Sequence, residues 1–85
     1  MNPFCVWTHP LTNACRVQVL GIENAKWLLS RVSQSFVIKS SQTVDEKECF
    51  PCCTFRVPYS SQMPRSTFEK LLAGIPEVRL MRGLA

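Results

Sequence analysis

The sequence predicts a small two-layer α+β domain, and three observations carry that prediction. CRVQVLG (15–21) and CTFRVPY (53–59) alternate apolar and polar residues with a period of two, the pattern of a strand with one buried face. IENAKWLLSRVSQSF (22–36) and STFEKLLAGIP (66–76) instead repeat their apolar residues at helical spacing. The chain has 85 residues, 46% of them apolar and 19% charged. That is a globular composition, enough for one domain over 1–85 with a small core that self-association would help.

In chain order, Cys15, Val17 and Val19 form the buried face of a first strand, with Arg16 and Gln18 on the other side, and Gly21 ends it. A helix follows, with Ile22, Ala25, Leu28, Leu29 and Val32 as its apolar stripe. Glu23 lies in its first turn, where the helix dipole favours an anion. SFVIKSSQTV (35–44) reads as a second strand, Phe36 and Ile38 pointing one way and Val37 and Lys39 the other. VDEKECFPC (44–52) is polar and acidic and contains Pro51; proline cannot donate to a ladder, so a hairpin tip is expected there.

The third strand turns Cys53, Phe55 and Val57 to one face and Thr54 and Arg56 to the other. In the second helix, Ser66 and Glu69 have the S-x-x-E spacing of a capping box. Phe68, Leu71, Leu72 and Ile75 form its stripe, and Gly74 with Pro76 supply the stop. EVRLMRG (77–83) closes the set as a fourth strand with Val78 and Leu80 inward. The order β-α-β-β-α-β with right-handed crossovers is that of the ferredoxin-like plait, an antiparallel sheet with both helices on one face. Residues 1–12 are an arm, or an extra N-terminal edge strand over FCVWTH (4–9).

Charge and cysteine content narrow the setting. The net charge is +4 and the isoelectric point about 9.0, which favours anionic partners. No apolar run reaches the length of a membrane span, so no membrane partner is expected. MNPFCVWTHP lacks the basic n-region of a secretory signal. Five cysteines without such a signal point to free thiols in a reducing, cytoplasmic setting.

The cysteines invite a metal or redox reading. Cys49 and Cys52 have the spacing of one zinc knuckle, but a structural zinc needs four ligands, usually from two such pairs. The other two would come from Cys5, His9, Cys15 or Cys53, which form no second C-x-x-C or H-x-x-H. A thioredoxin-like pair sits at a helix N-terminus, whereas CFPC leads into a strand pattern. The plainer reading makes Cys15 and Cys53 small buried residues and Cys49 and Cys52 hairpin thiols, so no cofactor is expected. No phosphate-binding glycine loop or nucleophile motif occurs, and His9 has no partner at a spacing that suggests catalysis. A non-enzymatic protein is expected.

Two surface features remain. The plait would gather Arg16, Gln18, Lys39, Thr54, Arg56 and Arg79 on the sheet face away from the helices, a basic platform of the kind that binds phosphates. RNA-recognition domains of this topology add stacking aromatics, and Phe55 points to the core instead. Trp27 falls on the polar side of its helix near Glu23, Ser30, Arg31 and Gln34. An exposed tryptophan favours a partner contact, unless PFCVW or the last strand folds over it. The resulting expectation is a self-associating interaction module, a dimer touching through Trp27 and Arg31. A nucleic-acid-binding domain using Arg16, Lys39, Arg56 and Arg79 is the alternative.

Overall fold

The computed structural model describes residues 2–35, 45–49, 51–61 and 63–81. Its elements are β1 (Phe4–Pro10), β2 (Ala14–Leu20), α1 (Ile22–Ser35), β3 (Asp45–Cys49), β4 (Cys52–Pro58), α2 (Arg65–Ala73) and β5 (Val78–Met81). This is a small α+β chain whose strands form one mixed sheet in the order β3-β4-β2-β1-β5. No helix among the described residues is long and apolar enough to cross a membrane.

The N-terminal segment departs most from expectation. It is neither an arm nor an edge strand: β1 pairs antiparallel with β2 and parallel with β5. A plait would seat the last strand directly beside β2. Here β1 occupies that place, and β5 moves out to the edge. The cause is local in sequence. β1 and β2 are joined by only three residues, 11–13, and the Leu11 N–H donates to the Ala14 carbonyl at 2.7 Å. Such a short connection brings the two strands together as a hairpin. Displacement to the edge also explains Leu80, expected inward but 37% exposed.

The strand faces of β2 and β4 are as the alternation predicts. Register pairs Cys15 with Val57, Val17 with Phe55 and Val19 with Cys53, and all six are buried. Phe4 and Val6 of β1 extend the same face, Val6 lying opposite Val19. Ala25, Leu28 and Val32 of α1 and Phe68 and Leu72 of α2 join them in one apolar cluster, completed by Met63 and Ile75. Leu28, Phe68 and Leu72 are fully enclosed, each worth about 1.5–3 kcal/mol in transfer from water.

Three local expectations need correction. The hairpin tip expected over 44–52 narrows to the turn at Pro51, and the acidic part is strand β3: Asp45 pairs with Thr54 and Cys49 with Cys52, with a register irregularity between them. Backbone pairing to β4 holds it without apolar alternation. Of the strand expected over 35–44, Ser35 is the last residue of α1 and the rest lies outside the described residues. The capping box does not form. Helix α2 starts at Arg65 with Pro64 as N-cap and no side-chain cap bond, and Glu69 instead pairs with Arg65 at 3.2 Å. Gly74 ends α2 in a right-handed conformation, φ −84°, so the stop owes nothing to a left-handed glycine. Gly21, at φ 93°, is the residue that uses that freedom, linking β2 to α1.

Candidate functional site

The face opposite the apolar cluster carries polar and charged strand residues, and strand register arranges them in rows. One row runs Met81, Trp7, Gln18 and Thr54 across β5, β1, β2 and β4, and the backbone of Asp45 on β3 pairs with Thr54. The next holds His9, Arg16 and Arg56, on β1, β2 and β4. Because side chains on one face recur every second residue, these rows lie about 7 Å apart along the strands. Trp7, His9, Arg16 and Gln18 are partly exposed and Arg56 is exposed, whereas Thr54 is only 4% exposed.

Two of these side chains are linked, and a third stands on the neighbouring strand position. Trp7 and Gln18 are cross-strand partners, and the His9 Nε2 lies 2.9 Å from the Gln18 Oε1. An amide oxygen only accepts, so this contact is a hydrogen bond in the His9 tautomer that is protonated at Nε2. Gln18 keeps its two amide N–H donors. Arg16 Nε is buried within the same face. Nothing in the sequence marks Trp7 or His9 as members of this face while residues 1–12 read as an arm. The available signal is the alternation of Phe4, Val6 and Thr8 against Cys5, Trp7 and His9.

Of the basic residues expected to meet, Arg16 and Arg56 are direct cross-strand partners. Arg79 lies on the same face opposite Cys5, at the other end of β1 from His9. Lys39 lies outside the described residues. The thiols fall into another row. Cys52 faces Leu20 on one side and pairs with Cys49 on the other, and the same register sets Cys5 on the far side of Leu20. Cys5 and Cys52 are therefore two strands, about 10 Å, apart. Cys15 points to the opposite face, and His9 stands four residues from Cys5 along β1. Among the described residues no group of three or more His, Cys, Asp and Glu could hold a metal ion.

Trp27 is partly buried against the apolar cluster. It meets Phe4 edge to face, with ring centroids 5.8 Å apart. The insertion of β1 into the sheet supplies this intramolecular contact. Arg31, one helical turn further along α1, is exposed.

A second pair of polar groups lies on the core side. The Cys15 thiol donates weakly to the Arg16 carbonyl at 3.7 Å, and burial pushes its pKa above the ordinary 9.0. Tyr59 continues the β2–β4 ladder through its N–H to Asn13. Its hydroxyl is buried beside the Cys15 thiol. Burial, then the neighbouring Cys15, raise its pKa above 10.0. Both groups belong to the packing of the core side. Comparison with family models, curated proteins and solved structures gives no match.

Proposed function

We propose that the sheet face opposite the core binds single-stranded nucleic acid, as a non-enzymatic domain. The supporting observation is the company Trp7 keeps. A partly exposed indole stands on an interior strand, beside a row made of His9, Arg16 and Arg56. Bases of a single strand stack on such a ring irrespective of sequence, and cations alongside neutralise the phosphates. The net charge of +4 works in the same direction. In this reading the chain is a plait derivative, both helices on the core face and β1 inserted beside β2. Its free thiols, Cys5, Cys15, Cys52 and Cys53, fit a reducing cytoplasm.

The test is titration of the protein with ten-nucleotide single strands at low salt, followed by tryptophan fluorescence. Trp7→Ala should abolish the quenching, and Arg56→Glu should weaken binding and flatten its salt dependence. Absence of binding at low salt overturns the proposal.

A second reading, self-association through α1, is favoured by the exposure of Arg31 one turn beyond a Trp27 that is still partly exposed. It predicts a dimer by light scattering that Trp27→Ala dissociates. The Phe4 contact argues against it, since Trp27 already has an aromatic neighbour within the chain.

A further inference from the structure

We infer that His9 sets the base preference of the sheet face by holding the carbonyl oxygen of Gln18, so that keto bases such as uracil are favoured over adenine. The inference rests on the nucleic-acid reading above and concerns which strands the face selects. Trp7 and Gln18 are direct cross-strand partners on that face, so a base stacked on the indole has its edge beside the Gln18 amide.

Glutamine recognises adenine bidentately, accepting from N6 and donating to a ring nitrogen with one amide turned to one base edge. In this protein the oxygen of that amide is turned to His9, two residues from Trp7 on the same strand, at 2.9 Å. His9 occupies one of that oxygen's two lone pairs and holds the amide facing it, which leaves the N–H donors as the groups turned toward the base. A donor meets the O4 or O2 of uracil or thymine, and the O6 of guanine, as a good partner. Adenine offers that donor only a ring nitrogen, and the exocyclic amine beside it then gains no acceptor from the amide. Stacking alone biases the other way, because the larger purine covers more of the indole. A preference for uracil is therefore a signature of Gln18 and not of Trp7. His9 acts here through Gln18, as a positioning residue for the base-reading amide.

The experiment measures the affinities of rU10 and rA10 by quenching of Trp7 in a Trp27→Phe background, with dT10 and dA10 as a second pair. The expected result is roughly fivefold tighter binding of rU10 than rA10, with the same order for the DNA pair. His9→Phe, which keeps a ring and removes the donor, frees the Gln18 oxygen and should bring that ratio below about twofold by improving rA10. Gln18→Leu should remove the uracil preference as well. Equal binding of rU10 and rA10 by the unmodified face, or an unchanged ratio in His9→Phe, overturns the role of His9 while leaving the nucleic-acid reading standing. Loss of binding to all four strands at low salt overturns both.

Discussion

Phe4 and Trp27 meet edge to face, their planes 85° apart, and so tie the first strand to the first helix. Such pairs contribute about 0.5–1.5 kcal/mol beyond the area they bury. Phe4 is itself part of the apolar cluster. Phe4→Ala should therefore cost about 3–5 kcal/mol in urea unfolding. Phe4→Leu, which refills most of the volume, should cost far less yet still shift Trp27 emission to the red in a Trp7→Phe background. An unshifted spectrum would mean that the two rings do not touch.

Gly21 is the sharpest backbone requirement among the described residues. At φ 93° an L side chain is strained, and a Cβ would stand 3.2 Å from the Asn24 Nδ2. That nitrogen donates to the Leu20 carbonyl at 2.8 Å, closing the entry to α1. Gly21→Val should lower stability by more than about 2 kcal/mol, and Gly21→Asn by less, because asparagine tolerates the left-handed region best after glycine. Thermal melts of the two variants check the order. Equal losses would point to crowding at Asn24 rather than to backbone strain.

How far the fold could be read from sequence follows from which residues bury themselves. β2 and β4 were legible because Cys15, Val17, Val19, Cys53, Phe55 and Val57 all turn to one core, leaving a clean alternation. β1 was not, because Trp7 on its outer face is as apolar as the inward Phe4 and Val6, and Pro10 suggests a turn. β3 carries DEKEC, with no apolar face at all, and exists through pairing with β4. The capping box fails because Ser66 and Glu69 fall inside a helix begun one residue earlier. The candidate site shared this fate: Arg16, Gln18 and Arg56 could be placed from alternation, but Trp7 and His9 required the position of β1.

Alkaline pH should destabilise the protein through Cys15 and Tyr59. Both groups have pKa values raised in the folded chain, Cys15 from 9.0 and Tyr59 from 10.0, with burial the largest cause in each. A raised folded-state pKa means that the unfolded chain loses its proton first. The stabilisation is complete below the unfolded value and declines as pH rises toward the folded one. Denaturation midpoints should be flat through pH 8 and then fall, with a limiting slope of about 1.4 kcal/mol per pH unit for each group. Cys15→Ala should remove the part that begins near 9. A stability that does not fall between pH 9 and 11 would contradict the burial of both groups.

Arg56 and Arg79 test whether the proposed interface is a track or merely a positive charge. Both lie on the face opposite the core, and replacing either by glutamate changes the net charge by the same amount. Arg56 is the cross-strand partner of Arg16, which is in turn opposite His9. Arg79 sits opposite Cys5, four residues and thus about 13 Å along the strand from His9. If phosphates follow the His9–Arg16–Arg56 row, Arg56→Glu should weaken binding of a single strand. It should also lower the slope of log affinity against log salt by about 0.7 for each phosphate that is no longer neutralised. Arg79→Glu should leave that slope nearly unchanged. Equal effects of the two substitutions would reduce the interface to long-range attraction and remove the row from the mechanism.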